Sequence, residues 1–225
     1  MLTLWIDGTA PLSADTVKAV EAVCDKAEDQ QQDPAATGVA TGVVTVHAAG
    51  TPQAGWTSGL SVALVTKWER VLRRLERLPT PTVAVASEDI GGAALDAFLA
   101  TDFRIVTRES RLLVATDGEA TWPGMAAYRL VQQAGAAKIR RAVMFGLPIP
   151  APEALTLGIV DELADDAAGV LEATAQLVGR LSGSELAIRR QLLFNATSTS
   201  FEDALGPHLA ACDRALRRVA AAEAS

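Results

Sequence analysis

Residues Thr82–Ile105 read TVAVASEDIGGAALDAFLATDFRI, and this stretch decides the fold. An apolar segment runs up to the Gly91–Gly92 pair, a segment of small residues follows, and a second apolar segment closes the stretch. The pattern predicts a strand, a glycine turn, a short helix and another strand. Such a turn presents backbone N–H groups at a helix N-terminus, which can hold an anion or a carbonyl oxygen that is gaining charge. Asp96 adds a carboxylate one helical turn further on, which indicates chemistry on an acyl group rather than a phosphate site.

The rest of the chain alternates between the periodicity of strands and that of amphipathic helices. Leu2–Asp7 and Val43–Ala48 read as strands, and a strongly amphipathic helix ends at Pro79. Strands that alternate with helices predict parallel βαβ units. From Asp166 onward the pattern is helical, with a break at residues 182–184. We therefore expect an α/β core over residues 1–165 and a helical region over residues 166–225 that packs over the sheet or against a neighbouring subunit.

Composition excludes several classes of protein. The net charge of −7 argues against a general nucleic-acid binder, since phosphate neutralisation needs clustered positive charge. No apolar stretch approaches the roughly 20 residues that span a membrane, and MLTLWIDG does not read as a signal peptide. Cys24 and Cys212 lie far apart and form neither a metal-binding spacing nor a disulfide framework. These features predict a cytoplasmic protein with no metal, no nucleic-acid partner and no membrane partner.

Three blocks in order resemble the crotonase (enoyl-CoA hydratase/isomerase) family. Pro81–Ile105 is similar to its strand, glycine-rich turn, acidic helix and Asp-containing strand, and Trp122–Leu130 to its Pro-Gly-rich turn. Phe145–Val160 resembles the turn, helix and Gly-Leu-Val strand that follow. The resemblance implies an α/β fold with a ββα spiral core and a C-terminal helical oligomerisation region. It also implies a CoA thioester as substrate, no separate cofactor, and assembly into trimers, hexamers or hetero-oligomers.

Shorter segments resemble one subgroup of that family, the accessory proteins of the 3,5-dihydroxyphenylglycine pathway. These segments are Gly55–Leu60, Lys67–Arg70 and Ala120–Gly124. The resemblance implies a polyketide thioester as ligand, with a type III polyketide synthase and other crotonase-like proteins as partners. The implied role is to promote dehydration and aromatisation to 3,5-dihydroxyphenylacetyl-CoA.

The family resemblance further implies an oxyanion hole made of two backbone N–H groups. One donor comes from the loop after the second strand, where this chain has Ala54-Gly55-Trp56. The other is the middle residue of a glycine run that falls on Gly92-Ala93-Ala94, so Ala93 takes the donor position. Each such donor contributes about 3 kcal/mol to the barrier reduction. The alternative interpretation is a remodelled turn that no longer binds thioesters.

The acids of the family are only partly retained. Asp96 falls where hydratases carry their first catalytic Glu, and it either acts as a base or is simply an acid in the first turn of a helix. The position of the second Glu falls on Thr116, which has no carboxyl group, and Asp117 replaces it only if the loop has shifted by one residue. Trp56 and Trp122 either wall an acyl pocket, with Thr116 beside them, or anchor their own loops.

Two hypotheses of different classes follow. The first is a lyase or isomerase that polarises a thioester carbonyl and moves protons with Asp96 or Asp117. The second is a non-catalytic partner that keeps the scaffold and stimulates a synthase. A serine peptidase of the related Clp fold is disfavoured, because neither His47 nor His208 has a nucleophile-bearing turn near it.

Overall fold

The computed structural model describes residues 1–32, 42–178 and 184–223. The strands within these ranges are β1 Leu2–Asp7, β2 Val44–Ala49, β3 Thr82–Ala86, β4 Ile90–Gly91, β5 Phe103–Thr107, β6 Arg111–Leu113, β7 Thr116–Asp117, β8 Ala120–Thr121, β9 Ile149–Pro150 and β10 Glu162–Ala164. The helices are α1 Ala14–Gln32, α2 Val62–Leu75, α3 Gly92–Leu99, α4 Met125–Ala134, α5 Ala136–Phe145, α6 Ala151–Thr156, α7 Ala167–Val178, α8 Ser184–Asn195 and α9 Phe201–Glu223.

A five-stranded parallel sheet forms the centre of the molecule, in the order β1-β2-β3-β5-β10. Every residue of β3 is buried, because helices cover both faces of a sheet built from βαβ units. The amphipathic pattern of α2 buries Trp68, Val71, Leu72 and Leu75. The predicted βαβ units and α/β class are confirmed.

α1 is longer than the sequence predicted. Its start is as expected, since the Ser13 hydroxyl accepts a hydrogen bond from the Thr16 N–H at 3.1 Å. The polar sequence of Glu28–Gly42, which contains Gln and Gly and has no periodicity, predicts a connector, but this prediction is wrong at its beginning because the helix continues to Gln32. Two short hydrogen bonds from Arg74 to Glu28, 2.8 and 2.6 Å long, hold this end of α1 against α2. Residues 33–41 of that connector lie outside the described residues.

The helical region after residue 165 contributes to the core. Ala167 and Leu171 of α7 are buried in one apolar cluster with Val83, Val85 and Ile105 of the sheet. α7 therefore packs over the sheet, which was one of the two roles expected of this region. The predicted break at residues 182–184 falls largely outside the described residues.

Asp102 joins the sheet to α8. Its carboxylate accepts hydrogen bonds from the Thr82 N–H at 2.9 Å and from Arg190 Nε at 2.7 Å. Arg190 also donates to the carbonyls of Leu78 and Thr80 before β3. The Arg190 side chain is only 6% exposed and that of Asp102 is 29% exposed, so this half-buried pair acts as a clamp that holds α8 in place.

Two smaller sheets complete the fold beside the carboxyl ends of the central strands. β4 pairs with β6 in parallel and β6 with β9 antiparallel, while β7 and β8 form a separate antiparallel pair. A bridge between Gly50 and Ile90 connects the end of β2 to this region. Among the described helices, none is long and apolar enough to cross a membrane.

Candidate active site

The glycine turn that opens α3 fits closely under the segment that follows β2. The Gly91 N–H donates to the Gly50 carbonyl at 3.0 Å. Gly92 has a φ of +53°, and a Cβ there would lie 2.5 Å from Pro52 Cγ, so only glycine suits this position. Ala93 follows in the first turn of α3, where N–H groups have no acceptor within the helix, and it lines a cleft. The structure thus places the predicted donor residue at the cleft wall.

A buried arginine fixes the other end of α3. Arg104 donates to the carbonyls of Phe98, Leu99 and Thr101 at distances of 2.8–3.3 Å, and to Gln133 of α4 at 2.9 Å. Burial lowers the pKa of the Arg104 guanidinium, but a guanidinium still carries its charge. The cation complements the negative end of the helix dipole, so α3 is held rigidly with its N-terminus toward the cleft.

The cleft beside α3 is narrow, with a cavity volume of about 40 Å³, and it opens to solvent. Most of its wall is apolar. The apolar lining includes Pro52, Leu60, Val65, Leu95, Val114 and Ala126. Two carboxylates, Asp96 and Glu69, interrupt this wall. An apolar cleft with few polar groups is the usual form of a small-molecule site.

Asp96 lies at the bottom of this cleft on α3. Its Oδ2 accepts a hydrogen bond from Trp68 Nε1 at 3.2 Å, and the Ala126 N–H also donates to the carboxyl group. Burial, and then the charge of Glu69, raise the pKa of Asp96 to about 7, while Arg129 acts in the opposite direction. Near neutral pH the group is therefore poised to give or take a proton.

Glu69 is a cleft residue that the sequence did not single out. It follows Trp68 on α2, and its Oε2 lies 2.9 Å from Arg129 Nη2. Arg129 is buried in α4 and also binds Glu76, with Nε 2.7 Å from Oε1. The only signal in the sequence was an acid beside the buried tryptophan of an amphipathic helix. Its orientation toward Asp96 depends on how α2 packs against α3 and α4.

The loop after β2 departs from the expected oxyanion segment. Ala54 and Gly55 are exposed and do not line the cleft. Trp56 does line it, but its N–H already donates to the Gln53 carbonyl at 3.1 Å within a turn of the loop. The structure therefore brings only the Trp56 side chain of this trio to the cleft, together with Pro52 from the same loop.

The β7–β8 pair keeps the second predicted acid out of the cleft. Thr116 and Asp117 are exposed on β7, and neither lines the cleft. The placement of Thr116 in the pocket is thus corrected, since only its carbonyl takes part, as the acceptor from Trp56 Nε1 at 2.8 Å. Trp122 does line the cleft, where its ring meets that of Trp56 edge to face with centroids 5.3 Å apart. The tryptophans anchor the loops and wall the cleft at once.

The arrangement is suited to proton transfer next to a polarised carbonyl. A helix N-terminus, a carboxyl group whose pKa is raised to about 7 and a carboxyl group paired with Arg129 share one apolar cleft. Across the described part of the chain, no three His, Cys, Asp or Glu side chains lie close enough together to hold a metal ion.

Comparison with known proteins agrees with this geometry. A family profile described as enoyl-CoA hydratase/isomerase matches residues 11–223. An Amycolatopsis orientalis protein named enoyl-CoA-hydratase is 56% identical over 219 residues, which is 97% of both chains. A Bacillus subtilis (strain 168) protein named probable enoyl-CoA hydratase is 30% identical over 149 residues, covering 64% of this chain and 58% of its own. An enoyl-CoA hydratase/isomerase family structure from Silicibacter pomeroyi shares the fold, with a TM-score of 0.78 at 15% identity over 96% of each chain. This chain belongs to the enoyl-CoA hydratase/isomerase family, and its α/β fold is the crotonase fold that the sequence predicted.

Proposed function

We propose that the protein binds a CoA thioester in the cleft beside α3 and removes water from its acyl group. The observation that carries this proposal is Asp96, a carboxyl group with a pKa of about 7 in the same cleft as the first turn of α3. The Amycolatopsis and Bacillus relatives are named as enoyl-CoA hydratases, and hydration of an enoyl thioester is the reverse of the dehydration proposed here.

In this proposal the Ala93 N–H donates to the thioester oxygen. Removal of the proton next to the carbonyl creates an enolate, and a donor fixed in place before the reaction stabilises that charge without reorganisation. The rigid attachment of α3 through Arg104 supplies this preorganisation. Asp96 exchanges a proton with the reacting group, because its pKa matches the working pH of such a catalyst.

We further propose that the thioester is a polyketide and that the protein assists a type III polyketide synthase. In this role it would resemble the accessory protein DpgB and help to form 3,5-dihydroxyphenylacetyl-CoA by dehydration and aromatisation. The resemblance of Gly55–Leu60, Lys67–Arg70 and Ala120–Gly124 supports this role. The two tryptophan rings in the cleft wall also support it, since flat aromatic surfaces suit a substrate that becomes a planar ring.

The test is product analysis of a malonyl-CoA-dependent type III polyketide synthase with and without the protein. Asp96→Asn should reduce formation of the aromatic thioester by about 100-fold or more, the usual range for loss of a general acid or base. Asp117→Asn is the matched control, because Asp117 is an exposed acid outside the cleft, and it should retain full activity. Equal activity of both variants would contradict a catalytic role for Asp96.

A non-catalytic partner of the synthase is the second candidate. Two observations favour it: no carboxyl group occupies the Thr116 position, and α9 exposes an apolar stripe. The stripe consists of Phe201, Leu205, Leu209, Leu216 and Val219. A protein that acts only by contact would stimulate the synthase equally well with Asn at position 96, and it would lose that effect when charged residues replace Leu209 and Leu216.

A further inference from the structure

We infer that Glu69 is the second catalytic carboxylate of the cleft, acting as the base that removes the proton next to the thioester carbonyl. The inference rests on the proposed thioester chemistry and assigns a residue to a step that Thr116 cannot perform. Its basis is the position of Glu69 on α2, where it faces the same cleft as Asp96 and the first turn of α3.

Charge and packing prepare Glu69 for this step. Its Oε2 is buried and lies 2.9 Å from Nη2 of Arg129, a cation whose side chain is only 7% exposed. The side chain as a whole keeps 21% exposure, so part of it faces the open cleft. Asp96 beside it has no direct ion pair among the described residues and accepts from two neutral donors instead.

Glu69 and Asp96 have different surroundings, because Glu69 pairs with a cation and Asp96 accepts hydrogen bonds from neutral donors. When two neighbouring titratable groups have such different surroundings, one serves as base and the other as acid. Glu69 forms an ion pair with Arg129, whereas burial raises the pKa of Asp96 to about 7, so Asp96 has a proton to deliver near neutral pH. The pair therefore provides both partners that a dehydration requires within one cleft.

The step balances as follows. The Cα–H bond of a 3-hydroxyacyl thioester breaks, its proton passes to Glu69, and the electron pair forms an enolate held by the Ala93 N–H. The enolate then forms the Cα=Cβ double bond as the Cβ–O bond breaks, and the leaving hydroxyl takes the proton of Asp96 and departs as water. Transfer of a proton from Glu69 to Asp96 through solvent restores both groups.

Two assays separate the roles. In the first, butanoyl-CoA is incubated with the protein in D₂O and deuterium at Cα is measured by mass spectrometry, which requires the base but no leaving group. In the second, dehydration of 3-hydroxybutanoyl-CoA is followed by absorbance, which requires both acids. Glu69→Gln should slow both reactions by about 100-fold or more. Asp96→Asn should slow the dehydration alone and leave the deuterium exchange within a few-fold of the wild type.

Glu76→Gln is the control for structural disturbance, because Glu76 also binds Arg129 but does not line the cleft. It should retain both reactions. Glu69→Asp keeps the charge and withdraws the carboxylate, so it should fold normally and still lose exchange, which guards against an effect of misfolding in Glu69→Gln.

The outcomes distinguish the two proposals. Full exchange in Glu69→Gln, or an equal loss in Glu76→Gln, would overturn the role of Glu69 while leaving the thioester chemistry intact. Absence of both reactions in the wild type, together with unchanged synthase products in its presence, would refute the dehydration proposal itself and the role of Glu69 with it.

Discussion

The glycine turn at the start of α3 makes a quantitative prediction about Gly92→Ala. A left-handed φ of +53° costs an L-residue about 1–2 kcal/mol. The new Cβ would also lie 2.5 Å from Pro52 Cγ, and relief of such crowding costs about 1–3 kcal/mol. We therefore expect a loss of about 2–5 kcal/mol in the free energy of unfolding, and a Tm lower by roughly 4–20 °C for a chain of this size.

Gly118→Ala supplies the matched control. Gly118 has a similar φ of +65°, but a Cβ there would have no atom within 4 Å. It should show the backbone cost alone, about 1–2 kcal/mol. Urea titrations and thermal scans of both variants give the comparison, and the dehydration assay should show that only Gly92→Ala also impairs the cleft. Equal destabilisation of the two variants would refute the close fit between Pro52 and the turn.

Three further predictions concern titration, the clamp and the thiols. The folded-state pKa of Asp96 is raised from 3.8 to about 7, so the free energy of unfolding of the wild type should fall by on the order of 4 kcal/mol as pH rises between these values. Denaturation curves at several pH values measure this fall, and Asp96→Asn should abolish it. Arg190→Met should lower the free energy of unfolding by about 1–3 kcal/mol in urea titrations, because the buried Leu78 and Thr80 carbonyls lose their donor, while Asp102 keeps its hydrogen bonds from Thr82. A thiol reagent should label exposed Cys212 and spare Cys24 in the native protein, since burial raises the pKa of the Cys24 thiol to about 12.

Each of these has a result that would contradict it. Stability that is flat between pH 4 and 7 in the wild type would argue against a buried proton on Asp96. Arg189→Met is the control for the clamp: its pair with Glu185 is exposed and within one helix, so its loss should cost about 0.5 kcal/mol. If Arg190→Met cost no more than that, the clamp would be unimportant. Labelling of both thiols at equal rates in native protein would contradict the burial of Cys24.

The local parts of the fold were predictable where the apolar pattern and the positions of the turn residues indicate the same element. In Thr82–Ala86 the apolar run, and in the following segment the glycine pair, agree with the structure to within a residue. The end of α1 was missed because its polar residues carry no periodic signal, and its position depends on Arg74 from another helix.

The candidate site divides in the same way. Asp96 and Ala93 lie on the element that the sequence defined, and both reach the cleft. Asp117 was predicted by counting residues back from the Pro123–Gly124 turn. Such counting cannot detect that β7 and β8 pair and leave the Asp117 side chain exposed. The role of Glu69 could not be predicted, because its partner Arg129 lies 60 residues away in the sequence and reaches it only through the packing of α2 against α4.

The clamp between Asp102 and Arg190 has a consequence for synthesis of the chain. The two residues are 88 positions apart, and both the final sheet strand β10 and helix α8 follow Asp102 in the chain. Since a ribosome adds about 5–20 residues per second, Asp102 waits roughly 4–18 s before Arg190 is made. A nascent chain stalled between Thr107 and Glu162 would leave β5 at an open sheet edge, because β10 has not yet been made. Cells should therefore produce this protein best when residues 108–164 are translated without pauses.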